Sequence, residues 1–263
     1  MSSSENLKIP LQEILLATNE FAEENKIGMG GYGPVYRGQS EQHGMLAIKR
    51  LNRMHGQGDH EYGMEVTLLS KYKHENLVSL IGFCGEDGEK ILVYKYEANG
   101  SLDKILHRKD LSWMHRLQIC LGAARGLRYL HDDTGSGHGV IHRDIKSACG
   151  TPGYVDPEYV LDCTLTQKSD VYSFGIVLYE VLFGKLVGHP RFTAKMVKEH
   201  YEMKTLHNMI DSDDLKDELN SDSLSTFSSI AYQCLNDLRE DRPTMSSVVE
   251  SIGESFVLST RKQ

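Results

Sequence analysis

The chain has 263 residues, 40% hydrophobic and 25% charged, with 29 Lys+Arg against 37 Asp+Glu and a net charge of −8. That is an ordinary globular composition, which excludes collagen-like, low-complexity and wholly disordered chains. The acidic balance excludes a nucleic-acid binder that works by neutralising phosphates. Cysteines 84, 120, 149, 163 and 234 are odd in number and widely spaced, and no CxxC occurs. This argues against a disulfide framework or zinc site and for a reducing, cytoplasmic compartment. The start, MSSSENLKIP, has no apolar signal core, and the longest nearly apolar run, Val171 to Phe183, contains Glu180. That run is too short for a bilayer, so the expectation is a soluble chain without a membrane span.

In chain order, LQEILLAT is a short amphipathic segment within residues 1–20. Residues 27–38 are Gly-rich and contain a Val-Tyr pair after the first four glycines, predicting strand, turn, strand. MLAIKRL (45–51), LVSLIGFC (77–84) and KILVYKY (90–96) predict three more strands, the last two separated by the turn EDGE. One helix interrupts them near Asp59–Tyr72, with Tyr62, Val66 and Leu69 on its buried face. After Asn99-Gly100 the pattern turns helical. Leu117, Cys120, Leu121, Ala124 and Leu127 form one stripe, Val171–Phe183 is a central buried helix, and further helices are predicted near 194–208, 223–237 and 244–257. The fold class is therefore α+β: a small β-rich lobe, a hinge near 95–100, and a larger α-helical lobe.

Gly28-Met29-Gly30-Gly31-Tyr32-Gly33 fits GxGxxG, with Val35 after it. Glycines let backbone N–H groups approach phosphates closely. The loop lies between two strands, which points to a kinase-type phosphate loop and away from a Rossmann site. Lys49 sits inside a strand. Glu65 lies on the apolar stripe of the following helix, where an inward carboxylate needs a partner. Lys49 is that partner, in the pair that aligns ATP phosphates in kinases. Glu61, the competing choice, points away from the stripe. His142-Arg143-Asp144 follows a helix ending near His131. Asp144 is positioned to orient the proton of a substrate hydroxyl, and Lys146 to stabilise charge on the transferred phosphoryl group.

The phrases IGMGGYGPVYRG, HENLVSLIGFC, ILVYKYEANGSLDKIL, VIHRDIKS, GTPGYVDPEY, KSDVYSFGIVLYEVLFGK and DRPTM resemble those of plant receptor-like Ser/Thr protein kinases of the Pelle-related group, nearest the FERONIA-like, malectin-receptor branch. LQEILLATNEFAEENKIG resembles the lead-in that precedes such kinase domains. The resemblance implies a bilobal protein-kinase fold: a juxtakinase segment over 1–20, a kinase domain over 21–257 (lobes 21–96 and 97–257) and a tail over 258–263. It implies an ATP site at Gly28, Gly30, Gly33, Val35, Ala47 and Lys49, with Tyr94 as gatekeeper, Tyr96 and Glu97 beside adenine, and Asp103 near the ribose. It implies a substrate-positioning Thr151, a Glu158–Arg242 ion pair, structural roles for His142 and Arg143, and Asp170 holding the catalytic loop from the start of the buried helix, or serving as an ordinary helix N-cap, or both. It also implies a protein Ser/Thr substrate and, were the chain part of a receptor, a place on the cytoplasmic side of the plasma membrane.

One stretch departs from the pattern. Kinases follow HRDLxxxN with DFG and then APE. Here the asparagine position is Cys149, Gly150-Thr151-Pro152 follows at once, and no DFG occurs anywhere. Only 13 residues separate Asp144 from Glu158. They reach roughly 45–50 Å when extended, enough to join the ends but not to build a DFG turn and an activation loop as well. The break falls at 147/148 with both flanks intact. It fits a splice or gene-model variant, an engineered deletion, or a sequence written without the intervening residues. Both protein ligands expected for Mg²⁺ are missing, so the chain reads as a kinase, with a catalytically impaired kinase-fold scaffold as the alternative.

Overall fold

The computed structural model describes residues 7–30, 33–52, 57–108, 110–132, 139–146, 153–188, 192–210 and 212–261, with the side chains of 57–61 and 214 left aside. Cys149, Thr151 and the Glu61 side chain, all singled out above, lie outside what is described. The chain forms two compact units that divide between Asn99 and Gly100.

The first unit opens with helix α1 (Leu11–Thr18), closed by a left-handed Asn19. A five-stranded antiparallel sheet follows, from β1 (Lys26–Gly30), β2 (Gly33–Ser40), β3 (Gly44–Arg50), β4 (Leu80–Cys84) and β5 (Ile91–Lys95), in the order β1-β2-β3-β5-β4. Helix α2 (Gln57–Lys71) interrupts the strands. Alternation along the strands sends side chains to opposite faces, and both faces are covered. Leu46, Ile48, Ile91 and Val93 meet Ile9 and Ile14 from the lead-in and α1. Leu80, Phe83 and Leu92 meet Tyr62, Val66 and Leu69 of α2, the stripe expected from the i, i+4, i+7 spacing. The lead-in is thus part of this unit's core. The Ile9 amide donates to the Phe83 carbonyl at 2.9 Å, and a Cβ at Gly82 would stand 2.5 Å from the Leu7 carbonyl oxygen, so only glycine admits that segment.

The second unit is helical: α3 (Trp113–His131), α4 (Pro157–Asp162), α5 (Gln167–Phe183), α6 (Ala194–Glu202), α7 (Asp213–Glu218), α8 (Ser221–Cys234) and α9 (Met245–Thr260). Helix α5 is buried nearly all round, as its unbroken apolar run implies. Leu117, Cys120, Ala124 and Leu127 of α3 pack in the same cluster as Phe227 and Ile230 of α8 and Val248 and Ile252 of α9. Trp113 is fixed there by its indole N–H, which donates to Ser223 Oγ at 2.9 Å. The helix expected over 194–208 stops at Glu202 and resumes as a 3-10 turn, Leu206–Met209. Helices α4 and α7, six residues each, are too short to show a 3.6-residue period. Among the described residues no helix is long and apolar enough to cross a membrane.

Candidate functional site

In the first unit, strand register brings the expected nucleotide-site residues of the strands to one face in two neighbouring rows. Val35 pairs with Gly28 on one side and with Lys49 on the other, and Ala47 pairs with Tyr94. Directly opposed residues share a face, so Gly28, Val35, Lys49, Ala47 and Tyr94 line the face that carries α2. At Gly28 a Cβ would meet nothing within 4 Å, so the backbone there stands open. Gly33 has φ of +145° and its Cβ would lie 2.1 Å from the Arg50 carbonyl oxygen, so that position must be glycine. Helix α2 aims Glu65 at this face. Lys49 Nζ donates to Glu65 Oε1 at 2.9 Å. The Tyr94 hydroxyl donates to the other oxygen, Oε2, a contact that sequence reasoning missed. The two side chains of the pair are 17% and 26% exposed, so the pair is within reach of solvent. Gly30 ends β1; Tyr96 and Glu97 follow β5, with the Tyr96 amide bound to the Met45 carbonyl at 3.2 Å.

In the second unit the His142-Arg143-Asp144 loop is held by one carboxylate. Asp170, 2% exposed, accepts from the amides of His142 at 2.7 Å and Arg143 at 2.8 Å. Its Oδ2 also lies 3.0 Å from His131 Nε2 at the end of α3. Arg143 has φ of +70°, a left-handed conformation costly for a residue with a Cβ, and the bond to Asp170 holds it there. The N-cap of α5 is Thr166, in a capping box with Ser169. Asp170 therefore anchors the loop and is not the cap. Asp144 is presented outward with Lys146 Nζ 2.6 Å from its Oδ1. A cavity of about 380 Å³ opens beside it, lined by Asp144, Lys146, Tyr154, Tyr159, Leu165 and Ser173 among others. Asp103 lies in the 3-10 turn Leu102–Lys104.

The expected Glu158–Arg242 pair is not formed. Arg242, its side chain fully buried, donates to Asp156 Oδ1 at 2.8 Å. Glu158 instead accepts from the Arg239 amide at 2.6 Å, with the Arg239 guanidinium 3.8 Å away. The reason is burial. Asp156 caps α4 and is 2% exposed, whereas the Glu158 side chain is 29% exposed, and a fully buried guanidinium requires an equally buried partner. Asp156 also accepts from Ser169 Oγ at 2.7 Å and Arg239 Nε at 3.1 Å. Burial alone would raise the Asp156 carboxyl. The hydrogen bonds from Arg242, Ser169 and Arg239 outweigh it and hold the group well below the usual carboxylate range.

The arrangement fits a nucleotide and does not fit its metal. A lysine held by a glutamate on the sheet face that also carries Gly28 matches phosphate oxygens. Mg²⁺ needs oxygen donors, in kinases an asparagine of the catalytic loop and the DFG aspartate. Cys149 stands in place of the first and the second is missing from the sequence. Among the described residues no three His, Cys, Asp or Glu side chains cluster so as to hold a metal. Asp144 is engaged by Lys146, and both Asp170 oxygens accept hydrogen bonds.

Comparison with known proteins gives two family matches. "Protein tyrosine and serine/threonine kinase" matches residues 21–149, and "Protein kinase domain" matches residues 146–252. The two meet at the interrupted stretch. Among curated relatives from Arabidopsis thaliana, receptor-like protein kinase THESEUS 1 is 40% identical over 90% of this chain and 32% of its own length. Receptor-like protein kinase HERK 1 is 38% identical over 95% of this chain and 35% of its own. Receptor-like protein kinase ANXUR2 is 38% identical over 92% and 33%. The chain spans about a third of the length of the curated relatives it matches. The HERK 1 alignment runs over 291 positions yet uses 95% of this chain's 263 residues, so about 40 positions of the relative have no residue opposite them here.

Proposed function

Because the chain belongs to the protein kinase family, we propose that it is the Ser/Thr kinase domain of a receptor-like kinase, on the cytoplasmic side of the plasma membrane, acting on protein hydroxyl groups. The observation that carries this reading is the Lys49–Glu65 pair at 2.9 Å, formed on the sheet face that also holds Gly28, Val35, Ala47 and Tyr94. ATP supplies the phosphoryl group. Lys49 binds phosphate oxygens through Nζ while Glu65, fixed from its other side by Tyr94, orients the ammonium. The backbone at Gly28, Gly30 and Gly33 admits the phosphates, with Tyr96 and Glu97 beside the base and Asp103 by the sugar. Asp144 takes the proton of the attacking hydroxyl at its carboxylate, Lys146 faces the charge that builds on the phosphoryl oxygens, and Thr151 positions the peptide. His142 and Arg143 act through their amides, which Asp170 holds. The test is phosphate incorporation by the purified chain with Mg-ATP and a protein substrate. Incorporation that disappears in Asp144→Asn is the expected result.

A second reading rests on a specific observation: Cys149 at the asparagine position and no DFG. Metal ions contribute several kcal/mol of transition-state stabilisation in phosphoryl transfer. On this reading the chain is a nucleotide-binding kinase-fold scaffold that does not transfer phosphate. Incorporation no greater than that of Asp144→Asn selects it.

A further inference from the structure

Resting on the reading that the first unit receives a nucleotide, we propose that this chain binds ATP without a divalent cation, through Lys49, so that magnesium does not strengthen binding. Kinases oppose the phosphate charge from two sides, with a strand lysine and with metal held by protein oxygens. The first side is complete here. Lys49 is held by Glu65 at 2.9 Å and remains 17% exposed. The Tyr94 hydroxyl takes the second Glu65 oxygen, so the carboxylate divides its charge between two donors and its grip on the ammonium is weaker. Lys49 can then turn toward phosphate without leaving a stranded carboxylate. The other side lacks the two oxygen ligands that kinases use: residue 149 is a cysteine and no DFG occurs in the sequence, and no metal-holding cluster occurs among the described residues.

A cation carried in on the phosphates would gain nothing from the protein. It would instead cancel part of the charge that Lys49 attracts, so metal-free ATP is the better match. The net charge of −8 opposes a polyanion at long range. That repulsion is screened beyond about 8 Å at physiological salt, where the contact with Lys49 persists.

The experiment is calorimetric titration of the whole chain with ATP at physiological ionic strength, in excess EDTA and again in millimolar MgCl₂. The expected result is a dissociation constant in EDTA equal to or lower than that in magnesium. Affinity about tenfold tighter in magnesium overturns the proposal while leaving the nucleotide-binding reading in place. Heat in neither condition overturns both. Lys49→Met is expected to weaken binding in EDTA by roughly tenfold or more, the loss of one charge-assisted contact, with an unliganded melting temperature matching the parent. Lys49→Gln serves if the first variant does not fold. Unchanged affinity in a folded variant overturns the assignment to Lys49.

Discussion

Two ion pairs define the two units, and they differ in what surrounds them. Lys49–Glu65 lies between the central strand and α2, at the solvent-reached rim of their packing, its side chains 17% and 26% exposed and its carboxylate shared with a tyrosine. Asp156–Arg242 is sealed, 1% and 0% exposed, and set in hydrogen bonds: Ser169 and Arg239 donate to Asp156, and Arg242 donates to the carbonyls of Asn236, Asp237 and Lys168. The rim pair can exchange partners at small cost, because water compensates either charge when it leaves. The sealed pair cannot, because neither charge has anywhere else to go. Exposure therefore separates a contact that receives a ligand from one that keeps helices α4 and α5 in register, although both are an acid facing a base at under 3 Å.

The sharpest way to break this contrast is to remove the sealed acid. Asp156→Ala strands a fully buried guanidinium and is expected to cost about 3–5 kcal/mol, read by urea unfolding; a loss below about 1 kcal/mol would erase the distinction. Asp170→Ala removes the acceptor for two loop amides and His131. It is expected to cost about 2–3 kcal/mol, the range for hydrogen bonds to a charged group when they are lost without replacement, by the same measurement. Acid titration sharpens the contrast further. The folded Asp156 carboxyl sits below its unfolded value of about 3.9, so its stabilisation is complete above that pH and is lost as pH falls toward the folded value. The unfolding midpoint of the parent should drop below about pH 4, and Asp156→Asn should lack that component. The smallest effect belongs to the rim: Glu65→Gln is expected to change stability by less than about 1 kcal/mol, and a loss equal to that of Asp156→Ala would refute the comparison.

The sequence made the Lys49–Glu65 contact legible because a carboxylate on an apolar helical stripe demands a partner, and one strand lysine lay nearby. Tyr94 escaped notice as a partner of Glu65 because its place follows from cross-strand register, Ala47 opposite Tyr94, which no short-range pattern encodes. The partner of Arg242 was misassigned between two carboxylates two residues apart. Spacing cannot decide between Asp156 and Glu158; burial at the start of α4 does. Asp170 was recognisable as an anchor, but the cap belongs to Thr166, whose side chain and Ser169 form a reciprocal pair. The order of the strands and of the long helices was readable, since each long element buries a periodic face. The six-residue α4 and α7 fall below the length at which a period exists.

The Asp170 anchor has a temporal consequence. His142 and Arg143 lie in a surface loop, yet their amides are tied to the carboxylate of a helix buried nearly all round. In hydrogen–deuterium exchange, surface-loop amides normally open in local fluctuations, while core amides wait for the whole domain to unfold. These two should follow the slow clock of α5 and not the fast clock of their neighbours, marking in protection factors where a mobile-looking loop is fastened to the middle of the fold.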